Sequence, residues 1–191
     1  MARPAIGFAS VALLLASGHA AGAATMPLYD AFNTLCVATH AEPGLIAKAI
    51  KISPFKITHR TAASTPGPIP MSTDLWDMEV EGHKMSLAVG HSQEAMGTAM
   101  ITDAQNCTIT SFASEDASIG AVRKWAGAPG KGSGVTLYEF QMQGGKPIAL
   151  EHGNAEKAAE IEGRAWHIAI TTRPNMGSVA LTHYLPPHPA Q

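Results

Sequence analysis

Apolar and polar positions alternate with period two in residues 75–84, LWDMEVEGHK, and again in residues 137–146, LYEFQMQGGK. The two stretches agree in identity or chemical kind at nine of ten positions. In each, an aromatic and two apolar residues share one face (Trp76, Met78 and Val80; Tyr138, Phe140 and Met142), while acids and amides take most of the other. Alternation that stops at glycine predicts a strand entering a hairpin. Its recurrence predicts an internal duplication.

A two-residue loop at Gly82-His83 would set Val80 opposite Met85, Met78 opposite Leu87 and Trp76 opposite Val89, apolar against apolar throughout. Two further strands, near 96–102 and 107–112 with a polar turn at 103–106, would complete a four-stranded meander. The second copy predicts strands at 135–142, 146–151, 165–172 and 178–185, with an inserted loop at 154–163 that can turn helical. In this copy a three-residue loop, Gly144-Gly145-Lys146, opposes Met142 to Ile148 and Phe140 to Leu150, so one extra turn residue and a bulge are expected. On the same parity His183 turns inward and His167 outward.

Helical periods fill the remainder. Leu28, Phe32, Leu35 and Cys36 fall on one stripe of residues 28–39, and Leu45, Ile46, Ala49 and Ile50 follow Pro43, a residue suited to a first helical turn. Ser114-Glu115-Asp116 opens a third helix whose stripe is Ile119, Val122 and Ala126, and Arg123-Lys124 precede its stop at Gly127. Residues 58–73, rich in Thr, Ser and Pro, read as an extended surface connection. The expected fold class is α+β: a helix plus a four-stranded antiparallel meander, duplicated, able to form one broad sheet with helices over one face. The expected organisation is a signal peptide at 1–24, a single domain at 25–185 with pseudo-repeats at about 26–112 and 113–185, and a Pro-rich tail at 186–191.

Residues 1–24 carry Arg3, an apolar run and a small-residue exit, the three parts of a secretory leader. No later stretch is long and apolar enough to suggest a membrane span. The chain is therefore expected to be exported, to the periplasm or the medium. Without Arg3 the formal charge moves from -2 to -3, and this slight acidity argues against a nucleic-acid partner. The segments Phe32-Asn33-Thr34-Leu35-Cys36-Val37 and Asn106-Cys107-Thr108-Ile109 resemble those of small uncharacterised exported bacterial proteins with a two-cysteine α+β domain, a resemblance that implies no known activity. Two cysteines in an exported chain, one on a helix and one on a strand, predict a Cys36–Cys107 disulfide.

Chemical signatures are sparse. Eight histidines and eight methionines lie beyond residue 24, a composition that invites copper, but no HxxxH, HxH or MxxM spacing supports a metal site. Gly130-Lys131-Gly132-Ser133 lacks the spacing of a phosphate loop and there is no GxSxG elbow. No catalytic, cofactor-binding or metal-ligating residues are assigned. Asp77, Glu79, Glu81 and Glu139 fall on the polar strand faces, a solvated surface or a landing place for a basic partner. The leading reading is a non-enzymatic exported binding or interaction module for a protein or small ligand. The alternative is a small envelope hydrolase, or a copper- or zinc-binding protein, with a site assembled from loops. A deep polar pocket holding two or more of His59, His83, His91, His152 and Asp77 would favour that alternative.

Overall fold

The alternating stretches gather into one antiparallel sheet whose apolar face is covered by helices. The computed structural model describes residues 25–65, 71–96, 100–127, 134–143, 146–150 and 165–189. Among these, the strands are β1 (Lys56–Thr65), β2 (Met71–Val80), β3 (His83–Met96), β4 (Met100–Ser111), β5 (Gly134–Gln143), β6 (Lys146–Ala149), β7 (Ala165–Arg173), β8 (Met176–Tyr184) and β9 (His188–Pro189). Their order across the sheet is β1-β2-β3-β4-β8-β7-β5-β6, and β9 pairs with β4 beyond the end of β8. The helices are short: α1 (Pro27–Phe32), continued by a π-helical turn over Asn33–Val37, α2 (Pro43–Ile52) and α3 (Asp116–Trp125).

The expected α+β duplication of a helix with a four-stranded meander is overturned. Among the described residues a single nine-stranded antiparallel sheet dominates, with three short helices. The first half does run β1 to β4 in sequence order, but in the second half β7 pairs with β5 rather than with β6. The reason lies in the strands themselves. β5 buries Tyr138 and Phe140 and finds in β7 a partner that buries Trp166, Ile168 and Ile170. β6 offers only Lys146–Ala149, and its Pro147 has no N–H to give a second neighbour. It is left at the edge.

Smaller expectations shift with the register. The first loop is Glu81-Gly82, both at positive φ (51° and 84°), so Met78 faces Met85 and Trp76 faces Leu87. The slip is by two residues and leaves every side chain on its expected face. In the second hairpin Met142 stands opposite Pro147 and Phe140 opposite Ala149, so the expected extra turn residue is absent. Ile148 consequently faces outward beside Gln141 and is 45% exposed. The polar turn expected at 103–106 is the middle of β4, which keeps one register with β3 from Asp103 to Cys107. With no Gly or Pro there, nothing breaks the strand. Of the connection expected at 58–73, residues 58–65 belong to β1 and 71–73 to β2, and 66–70 lie outside the described residues; β1 is an edge strand that carries Lys56 and Arg60 and a register shift between Arg60 and Ala63.

The helix stripes pack as their periods require. Leu28, Phe32, Leu35 and Cys36 are wholly buried; α1 lies on β2 and β4, and α3 lies on α1 and β8. The π-helical turn, with Ala38 N–H reaching Asn33 O at 2.9 Å, widens the helix where Leu35 and Cys36 meet the sheet. An aromatic seam crosses the core: Trp125 meets Phe32 and Phe140 edge-on, Phe140 stacks on Trp166, and Trp166 stacks on His183 at 4.0 Å. His183 is buried and His167 faces outward opposite Thr182, as their parity requires.

Candidate functional site

Cys36, on the π-helical turn, is bonded to Cys107 on β4, with Cα atoms 5.5 Å apart. The bond joins the helical layer to the sheet and leaves no free thiol for nucleophilic chemistry. Of the four acids singled out by sequence, Asp77 and Glu79 stand on the open face of β2, where β1 counters them. Arg60 Nη1 donates to Asp77 Oδ1 at 3.0 Å and Lys56 Nζ to Glu79 Oε1 at 3.1 Å. Glu139 is on β5, separated from β2 by β3, β4, β8 and β7. The acids therefore form no continuous field.

Glu81 differs from the other three. It occupies the first loop position of the β2–β3 turn, at a positive φ that favours Gly or Asn. Beside it is a hollow of about 440 Å³ lined by Asp30 and Thr34 from the first helix, Pro54 and Phe55 ahead of β1, and Glu79, Val80 and Glu81. Burial first, and the nearby Glu81 charge second, push the Asp30 carboxyl above its ordinary value. Among the described residues no cation pairs with Asp30 or Glu81. The hollow thus joins two like charges to an apolar wall of Pro54, Phe55 and Val80, a combination suited to an ammonium or guanidinium group on an apolar stem.

The histidines disperse. His59 approaches Asp74 at 3.7 Å and meets the Trp76 ring edge-on. His83 Nδ1 lies 2.9 Å from the buried Glu115 carboxylate, which also accepts from Ser111 and Ser118 at 2.9 and 2.8 Å. That cluster ties the β2–β3 turn to the start of α3 and satisfies a carboxylate that would otherwise be costly to bury. His152 lies outside the described residues. His91 joins a different group at the far end of the sheet, where its Nε2 is 3.1 Å from Asp103 Oδ1. His188 Nε2 takes the other oxygen, Oδ2, at 3.0 Å, and Gln93 donates to Oδ1 at 3.1 Å.

Asp103 is an expected turn residue turned into a junction of three strands, and sequence alone offered no sign of it. Asp30 was equally silent, one polar residue on a solvent-facing helix position. Glu81 did carry a signal: a Glu-Gly turn where Asn-Gly or Asp-Gly is the favoured pair. A second, shallower trough of about 260 Å³ on the open face has Gly90 at its floor and Ser92, Asn106 and Thr108 on its sides. Its side chains are small apart from His91, which is turned to Asp103. They are already engaged with one another, Thr182 donating to Asn106 and Asn106 to Ser92.

Among the described residues no group of three His, Cys, Asp or Glu side chains is placed to hold a metal ion. None of the described helices is long and apolar enough to cross a membrane. Compared with known proteins, the chain matches no family model, no curated protein and no solved structure.

Proposed function

We propose that the protein is a non-enzymatic, exported binding module that receives a cationic group of a partner in the hollow between the first helix and the β2–β3 turn. One observation carries the reading: Asp30 and Glu81, which border the same hollow, are each held at a local cost to the fold, Asp30 by desolvation and like charge and Glu81 by its backbone conformation. Costs that converge on one cavity are the mark of a site kept for binding rather than for stability. A lysine or arginine side chain would neutralise both carboxylates and lay its stem on Phe55 and Pro54. Export is supported by the Cys36–Cys107 bond, which persists in oxidising compartments. The dispersal of His59, His83 and His91 to three separate places, each against a different carboxylate, supports binding over the hydrolase or metal-protein alternative.

The test is a titration of the oxidised protein with free tetralysine, followed by backbone amide shifts. Saturable shifts at Asp30, Thr34, Phe55 and Glu81 are expected. They should weaken about tenfold in Asp30→Asn/Glu81→Gln and fade at about 0.5 M salt, where exposed charges are screened beyond a few ångströms. Asp77→Asn/Glu139→Gln should bind as the parent does. Shifts that ignore the first pair of substitutions, or a complete lack of saturable shifts, would overturn the reading.

A further inference from the structure

The large apolar side chains left at the surface are not scattered. Among the described residues Phe112, Val135, Leu137 and Ile148 are all exposed, Val135 by 64% and Leu137 by 46%, and all four belong to the open face of the sheet, away from α1 and α3. Strand parity places them there. Val135 and Leu137 alternate on β5 with the buried Tyr138 and Phe140, Ile148 stands opposite the outward Gln141, and Phe112 follows the buried Ser111 and reaches Lys84 O with its N–H at 3.2 Å. A sheet face meant for water carries polar residues at such positions.

Read across β2, β3, β4, β8, β7 and β5 at paired positions, one row of this face is Leu75, Ala88, Thr108, Ala180, Ala169 and Leu137. The row reads the same in kind from either end, a leucine and an alanine flanking two small central residues. Its midpoint falls between β4 and β8. A two-fold axis parallel to the strands at that boundary, lying midway to a second molecule, would lay Leu75 of each copy over Leu137 of the other and Ala88 over Ala169. Self-complementarity of this kind is the requirement of an isologous interface. In the adjacent row the central hydroxyls of Thr110 and Ser178 already bond to each other at 2.9 Å, so the middle of the face gives up little hydrogen bonding when water leaves. At the β1–β2 margin Arg60 is paired with Asp77 at 3.0 Å.

We infer that the protein forms a two-fold dimer in which the open faces of two copies pack on each other, centred on β4 and β8. Neighbouring strands lie about 4.8 Å apart and same-face residues about 6.8 Å apart, so six strands by three rows present about 600 Å² on each copy. The pair would bury about 1,200 Å², the lower bound for a specific, stable interface, which makes the dimer a reversible one of about micromolar strength. Alanine, serine and threonine in the middle let the two sheets approach closely, and the leucines at either end close the contact against water.

The test is sedimentation velocity of the oxidised chain from about 1 to about 300 μM, with double-variant logic applied to the leucine pair. The parent should pass from monomer to dimer across this range. Leu75→Glu, beside Arg60, and Leu137→Lys, two residues from Glu139, should each weaken the dimer at least tenfold, since each lays a charge on an apolar partner. Leu75→Glu/Leu137→Lys sets opposite charges over one another only across the two-fold and should recover the parent's dimer to within about threefold. Amide shifts of the parent on dilution, a readout that needs no variant, should concentrate on β3, β4, β8 and β7. A parent that stays monomeric throughout, a dimer indifferent to both single substitutions, or a double variant no stronger than the singles would overturn the inference.

Discussion

At the scale of single residues, Asp30 and Glu81 are where the fold gives up stability. Because the Asp30 value is raised, its contribution is intact below the ordinary carboxylate range and is lost as pH rises through the folded value. Asp30→Asn should therefore stabilise the protein near neutral pH by a few tenths of a kcal/mol, the small size reflecting solvent screening at an exposed group. The gain should vanish at about pH 3. Glu81→Asn should add about 0.5 kcal/mol, since asparagine accepts positive φ more readily. Urea denaturation at the two pH values measures both effects. Variants that are more stable but bind tetralysine less well would tie the local cost to the site.

At the scale of elements, the sheet is organised by which strands can offer two bonded edges. β5 can, and β6 with Pro147 cannot, which is why the second hairpin does not propagate into a meander. β1 closes the opposite side of the sheet, with Lys56, Arg60 and a register shift that discourage pairing with another chain. The helical layer comes close to the sheet at Gly177 of β8, where a Cβ would stand 3.3 Å from both Glu115 Cβ and Leu28 Cδ2. Gly177→Val should force α1 and α3 outward and cost about 2 kcal/mol, with Gly177→Ala at a fraction of that. Thermal unfolding of the two variants checks the order.

For the whole molecule, the Cys36–Cys107 bond links the helical layer to β4 across a sequence separation of 71. Closing so long a loop removes about 4 kcal/mol of denatured-state entropy in the chain-entropy picture. Cys36→Ala/Cys107→Ala should lower the urea midpoint accordingly and steepen the transition somewhat, because the unlinked denatured chain exposes more surface. A midpoint indistinguishable from that of the oxidised parent would show that the helical layer is held by Leu28, Phe32 and Leu35 alone.

What the sequence determined by itself is the set of local patterns. The stripe of Leu28, Phe32, Leu35 and Cys36, the inward and outward faces of β2, β5, β7 and β8, and the pairing of the only two cysteines follow from periods of 3.6 and 2.0 and from redox chemistry, each decided within a short span of chain, whereas β6 took the opposite face to the one expected. Strand partners were decided only in three dimensions. Alternation says which face a residue takes but not which neighbour lies beside it, and a slip of two residues, as at Glu81-Gly82, leaves every face unchanged. The meeting of Asp30 with Glu81, 51 positions apart in the sequence, and of Asp103 with His188, 85 positions apart, depends on helix packing and on the docking of the tail. Such encounters between distant polar residues leave no period in the sequence, because their energy comes from charges and hydrogen bonds that exist only once the sheet has closed.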